Sequence, residues 1–330
     1  MDLVEISIAA AIFTLKLTLF IYIGLFVANI ACKREKILRL GIIFNPLVRW
    51  GKLPECCAFY FLMSMVNLSS AAPTLLGFYK KGLVSDDKQV IAATITAGLP
   101  IMFWYVLFFT GPIAIGLFGI INGILFLAVW CAIGLIETMM GVIYGRTRLS
   151  KSLQERYPEG NYRFNVPTPT SKNLEDFKQE LKDASKDSFE TLVKIMKILA
   201  PVIFILYVII NSEAVMSHVN ESLRPIALIF PVEAEALPIT ISSAFNLIVA
   251  LSLAQQLIMG GLPLIDAFMA IIVGMFLFNF FELFHSLIPY NVAFFGRKLG
   301  LRLAWVLFLA IGASELAVIL ILWSIKVFMM

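Results

Sequence analysis

The chain has 330 residues, 60% of them hydrophobic and only 15% charged, with a mean hydropathy of +0.90 and a net charge of +4. A soluble protein carries about 25% charged residues, so a water-exposed globular enzyme is excluded, and nothing in the charge implies a nucleic-acid partner. The composition is that of an all-α integral membrane protein, in which the placement of charge along the chain matters more than its sum.

Ile6 to Ala31 is the first predicted span, interrupted by Lys16. It is too long for the apolar core of a signal peptide, and Asp2 and Glu5 stand where a basic cluster would be. Lys33, Arg34, Lys36, Arg39, Arg49 and Lys52 then surround an amphipathic piece, Ile37 to Trp50, and place residues 32–52 in the cytoplasm. From Pro54 an apolar helix runs to about Val66, breaks over Asn67 to Pro73 and returns to Lys80 and Lys81. Residues 53–82 therefore read as a re-entrant hairpin with both ends on the cytoplasmic side. Ser85, Asp86 and Asp87 predict a helix cap, opening a span to about Phe109 that turns at Thr110, Gly111 and Pro112. The apolar run that follows is loosened near Gly116 and Gly119. It ends at Tyr144 and Gly145, ahead of Arg146, Arg148, Lys151 and Arg156, again cytoplasmic.

Residues 147–190 are the one polar tract of any size, a cytoplasmic linker whose second half is a predicted amphipathic helix. Asn173 with Asp176 forms a capping-box pattern, and Leu174, Phe177, Leu181 and Ala184 recur at helical spacing. A span follows from about Ile198 to Ile210, with Pro201 inside it. The loop from Asn211 to Ala236 has Glu213, Glu221, Glu233 and Glu235 against Arg224 and is placed outside. Pro238 to Gly261 is a second broken hairpin, within residues 237–262. Pro263 to about Leu287 spans inward, a cytoplasmic loop at 290–302 carries Arg297, Lys298 and Arg302, and a last span runs from Leu303 to about Ile325. Both termini fall outside. Cys32, Cys56, Cys57 and Cys131 lack metal-site spacing and read as free thiols.

The two broken stretches match in register. Shifted by 179 residues, Ser64, Asn67, Leu68, Ala71, Gly82, Leu83 and Asp87 fall on Ser243, Asn246, Leu247, Ala250, Gly261, Leu262 and Asp266. Residues 1–146 and 191–330 thus read as two repeats, each three transmembrane helices plus one re-entrant hairpin. An odd number of crossings in each makes the second repeat inverted, in agreement with the positive-inside assignment.

Helix breaks at membrane depth survive where protein or a wet cavity surrounds them. Asn67, Ser69, Ser70 and Thr74 in the first hairpin, with Asn246, Ser252, Gln255 and Gln256 in the second, are the candidate substrate-binding groups. The alternative is that they satisfy backbone at a packed crossing. Ionisable residues within spans are costly and point to function. Glu137 and Glu315 each follow a glycine, Gly134 and Gly312, by three places and match across the repeats after a one-residue gap. Asn279, Glu282 and His285, at three-residue spacing, share a helical face and fit a polar cavity wall or proton relay. A Glu-x-x-His metal centre would need a second copy, and His218 is the one other histidine. No metal, cofactor or catalytic residue is expected. No phosphate-binding Gly-Lys-Ser/Thr loop and no Gly-x-Ser-x-Gly elbow is present, so energy for any pumping comes from an ion gradient or a partner.

The run Asn67-Leu-Ser-Ser-Ala-Ala-Pro73, the Gly82-Leu-Val-Ser-Asp-Asp87 stretch and their second-half echo resemble the nucleoside-recognition, or Gate, family. That family includes spore maturation proteins and the gate segments of ferrous iron transporters, and is distantly similar to concentrative nucleoside transporters. The resemblance covers roughly residues 53–110 and 237–290. It implies inverted gate repeats and transport. The cysteines characteristic of the iron transporters' gates are absent around Asn67 and Asn246. The expected function is a secondary transporter or facilitator in the cell membrane, moving a small polar solute or ion between the two hairpins. Glu137, Asn279, Glu282, His285 and Glu315 are its coupling or ion groups. The alternative is a non-transporting assembly or signalling component that binds a cytoplasmic partner, or a further copy of itself, through residues 147–190.

Overall fold

The computed structural model describes residues 39–66, 68–149, 174–210 and 230–329, with scattered helical positions between Ile8 and Phe26. Every regular element among them is helical. A 3-10 turn, Arg39–Phe44, leads into α1 (Asn45–Gly51), followed by α2 (Cys56–Val66), α3 (Leu68–Lys80), α4 (Asp87–Thr96), α5 (Gly98–Phe108) and the long α6 (Thr110–Arg148). Next come α7 (Leu174–Ile210), α8 (Leu237–Ser243), α9 (Leu247–Met259) and α10 (Leu264–Glu282), the last continued by a π turn, Leu283–Leu287, into α11 (Ile288–Met329). Asp87–Leu107, Thr110–Arg148 and Leu264–Met329 are long and apolar enough to cross a membrane.

Helices α2, α3 and α9, with 11, 13 and 13 residues, reach about 16–20 Å at 1.5 Å per residue, short of the ~30 Å hydrocarbon core. Helices α2 and α3 instead fold back on each other, bringing the ring of Phe59 to 6.3 Å from that of Phe78. The expected break over Asn67 to Pro73 is narrower than the sequence implied. Helix resumes at Leu68 and passes through Pro73, while Asn67 lies outside the described residues. Proline forfeits about 3 kcal/mol in a helix interior. Leaving the helix over seven residues in apolar surroundings would strand several backbone groups at several kcal/mol each, so the helix continues. The second hairpin turns between α8 and α9, with Phe245 at its tip against Phe281, ring centroids 6.2 Å apart. Gly274 lets α8 lie directly on α10 at Thr240 and Ser243, and the Ser243 hydroxyl donates to the Ile271 carbonyl at 2.8 Å.

Both long helices are bent double by a glycine. Gly119 has φ 76°, ψ 174° and Gly296 has φ 76°, ψ 170°, a conformation essentially confined to glycine. Gly123 then lies against Ala114 and Ile115, and Gly300 against Asn291 and Val292. Residues eight or nine apart in a straight helix would be about 12–14 Å apart, so α6 and α11 each comprise a short arm and a long arm. Two expectations are corrected here. The turn expected at Thr110 to Pro112 is a single irregular residue, Phe109, with the reversal later at Gly119. The loop expected at 290–302 is helix on either side of Gly296, and Arg297, Lys298 and Arg302 sit in the long arm of α11. One glycine at positive φ reverses the chain without stranding backbone, so no polar loop is required.

Helix α7 runs unbroken through Pro201 for 37 residues, about 55 Å. The expected linker helix and the following span are therefore one rod. Ala184, Ser188 and Leu192, at four-residue steps, form its buried stripe. It is tied to the first apolar run by Tyr22 to Ser185 (2.8 Å) and to α3 by Lys80 donating to Thr191 (3.2 Å). Leu192 also packs with Leu76, Ala293 and Phe294.

The buried apolar side chains fall into two main bodies. One joins the α2–α3 hairpin and α4 to Leu299, Leu303 and Ala310 of α11. The other joins α8, α9 and α10 to Phe126, Trp130 and Ile133 of α6. Each hairpin is thus packed against a long helix from the other half of the chain.

Candidate functional site

Of the hairpin groups singled out from the sequence, Ser70 and Thr74 are fully buried, and the Thr74 hydroxyl donates to the Ser70 carbonyl at 2.7 Å. Ser69 lies in α3, its side chain outside the described set, as is the whole of Asn67. Asn246 is exposed and serves as the N-cap of α9, its Oδ1 accepting from the amides of Ile248 (3.0 Å) and Val249 (3.2 Å). An N-cap carboxamide relieves one or two amides that the helix leaves unpaired. Ser252 donates back to the Ile248 carbonyl at 2.9 Å. Gln255 is half-buried and Gln256 exposed. The bonds of Thr74, Asn246 and Ser252 all stay within their own hairpins.

The acids are gathered more closely. Glu137 on α6, Glu315 on α11 and Asn279 on α10 are 4%, 3% and 2% exposed. Glu282 and His285, at the end of α10 and in the π turn, are half-buried. Helices α6 and α11 pack on each other, and the carboxyl groups of Glu137, Glu282 and Glu315 are near enough to sense one another's charge. No lysine, arginine or histidine is buried among the described residues.

Small residues bring the backbones close enough for this. Gly134 and Gly141 of α6 lie against Met102 and Thr96, and Gly145 against Gly51. Small residues spaced along one face permit the close helix approach typical of membrane interiors. At the level of Glu137 the helical path breaks between α4 and α5. The Thr138 hydroxyl serves that break, accepting from the Leu99 amide at 2.7 Å and donating to the Thr96 carbonyl at 3.1 Å. Gly98 lies directly under the Glu137 carboxyl, whose Oε2 is 2.7 Å from where a Cβ on Gly98 would stand. In the second half, Gly312 presses on the carboxamide of Asn279, which donates to the Phe308 carbonyl at 3.1 Å. Asn279 Oδ1 and Glu315 Oε2 are buried without a hydrogen-bond partner.

Three features escaped the sequence. Thr138 is one threonine among many, and its role depends on a break 42 residues earlier. Gly98 carried no flag, since its partner Glu137 is remote in the chain. Lys326, just past the expected end of the last span near Ile325, joins the buried Asp266 at 2.7 Å and the exposed Glu233.

No family model matches the chain, and no solved structure matches it. The chain is similar to three uncharacterized proteins of Methanocaldococcus jannaschii. One is 25% identical over 88% of this chain and 90% of its own length. The second is 26% identical over 85% of each, and the third 21% identical over 92% and 91%. The likeness runs over most of the length of all three.

Proposed function

We propose that the chain is a secondary transporter or facilitator for a small polar solute or ion, built from two inverted repeats of the Gate type. The observation that carries this is the duplicated glycine corner. Gly119 and Gly296 have nearly the same backbone angles, and the residues they fold against are offset by the same 177 positions, Gly123 with Ala114 and Ile115, Gly300 with Asn291 and Val292. Each corner precedes an arm that carries a buried glutamate, Glu137 or Glu315. Two copies of one unit, each with a hairpin too short to span, fit the pattern of transporters whose site lies at the repeat interface. In this proposal residues 32–52 and 146–190 and the Gly296 corner face the cytoplasm, where the basic residues concentrate. The acids at the α6–α11 crossing act as coupling groups, and the hairpin hydroxyls and amides contact the solute.

Reconstitution in lipid vesicles with a panel of nucleosides and divalent cations tests this. Uptake of one of them, weakened by Glu137→Gln or Glu315→Gln, is the expected result. Flux unchanged by Asn67→Ala and Asn246→Ala in an active protein would remove the hairpin tips from the mechanism. A non-transporting signalling role is favoured by Phe189, a ring 59% exposed in the polar half of α7, where it offers a cytoplasmic partner an apolar contact. It predicts that Phe189→Ser abolishes partner capture while substitutions at Glu137 and Glu315 do little.

A further inference from the structure

We infer that the crossing of α6, α10 and α11 is a proton-binding site, with Glu315 as the residue that carries the proton when the site is closed. That the proton serves as the coupling ion rests on the transport function proposed above; that it binds does not.

Three carboxyl groups, Glu137, Glu282 and Glu315, share this interior, and among the described residues no lysine, arginine or histidine is buried there to balance them. An unpaired buried charge is among the most costly things a protein can enclose, and in apolar surroundings the group is neutralised instead. Neutralisation by a chelated metal needs several ligands around one point, and among the described residues no three His, Cys, Asp or Glu side chains are so grouped. A second, independent observation points to the proton. Phe308, Gly312 and Glu315 lie along one face of α11, and the Asn279 carboxamide lies on that face, donating to Phe308 and touching Gly312. Asn279 Oδ1 and Glu315 Oε2 are both acceptors, both buried and both without a donor. Adding another acceptor cannot relieve this. A single proton on Glu315 Oε2 turns one orphan acceptor into a donor and removes the charge at the same time.

The step is plain acid–base exchange. While the site is open to water, a hydronium ion gives its proton to the carboxylate oxygen and leaves as water; the carboxylic acid is then enclosed as a neutral group. The titratable groups facing this interior are Glu137 from α6, Glu282 from α10, His285 from the π turn, Tyr60 from α2 and Tyr105 from α5. None supplies a fixed positive charge. Lys16, which the sequence places in the first span, lies outside the described residues.

The test is the infrared spectrum of the full-length protein in lipid vesicles, followed through a pH titration. A buried carboxylic-acid carbonyl band at neutral pH, shifting in heavy water and vanishing at alkaline pH, is expected of the native protein. Glu315→Gln is expected to remove the largest share of it. Absence of the band at neutral pH, from a carboxylate paired with Lys16 or another cation, overturns the inference. So does its loss at fixed pH on adding calcium or manganese ions, which would mark a metal site. The native titration needs no variant, so a poorly folding Glu315→Gln leaves the test decisive. Failure of solute flux with the band present sinks transport alone, and flux with no band sinks the proton site alone.

Discussion

Replacing Thr138 by valine keeps the side chain's shape and removes the one hydroxyl that bridges the break between α4 and α5. In the native protein that oxygen accepts from the Leu99 amide at 2.7 Å and donates to the Thr96 carbonyl at 3.1 Å. Thr138 is 1% exposed and Thr96 is wholly buried, so water does not replace what is lost. Each orphaned buried group costs about 1–3 kcal/mol, and in apolar surroundings the upper end applies. Thr138→Val should therefore lose about 2–6 kcal/mol. Thr138→Ser keeps the hydroxyl and gives up one methyl group, about 1 kcal/mol. The ordering native, serine, valine is to be read from unfolding midpoints in mixed detergent micelles. A Thr138→Val protein within about 0.5 kcal/mol of the native one would refute the account, since Leu99 and Thr96 would then have other partners.

Gly98→Ala would place a Cβ 2.7 Å from Glu137 Oε2 and 2.8 Å from its Cβ, an overpacking worth about 1–3 kcal/mol. The double variant with Glu137→Ala removes the carboxyl contact but keeps the Cβ one, so it should recover part of that loss in the same unfolding assay, and strict additivity would show that the two do not touch. Gly119→Ala and Gly296→Ala meet open space, so backbone strain alone should cost each about 1–3 kcal/mol. Equal losses of thermal midpoint are expected, and a marked inequality would separate the two corners. Lys326→Met strands Asp266, which is 2% exposed, and removing one partner of a buried pair costs about 3–5 kcal/mol. Glu233 is 54% exposed, so Glu233→Gln should cost at most about 1 kcal/mol. The double variant Lys326→Met with Asp266→Asn should regain most of the loss, and its failure to do so would assign Lys326 some other role.

Much of the element order was legible because polar residues are expensive in a chain this apolar. The cap at Ser85 to Asp87 is formed as expected, with Asp86 accepting from the Lys88 amide and Gln89 from that of Ser85. The Gly-x-x-Glu pairs pointed correctly at two buried acids. What the residues hid was backbone angle and distant partnership. Gly296 is followed by Arg297 and Lys298, and charge next to glycine looks like loop. Only the positive φ shows that helix resumes at once. Asn246 carried the opposite ambiguity. A lone asparagine in an apolar run is equally a ligand or a cap until the amides of Ile248 and Val249 are found on its oxygen.

The deeper reason is that hydrophobic periodicity has little to say when every face of a helix is apolar. In a soluble protein the inward stripe separates itself from the rest by solubility. Here Phe280 is 49% exposed and Phe268 only 3%, yet nothing in the two side chains tells lipid from core. Faces are marked instead by exceptions. Gly134, Thr138, Gly141 and Gly145 trace the contact stripe of α6 by their smallness, and Glu137 marks the same side by its charge. On α11 the corresponding marks are Gly312 and Glu315, with Asn279 facing them from α10. Since small and polar residues gain nothing from lipid, their agreement on one side of each long helix ties close packing and buried charge to a single place. Substitutions that alter only the exposed phenylalanines should accordingly leave that place undisturbed, whereas a methyl group added at Gly134 or Gly312 meets Met102 or the Asn279 carboxamide, the packing on which the acids rest.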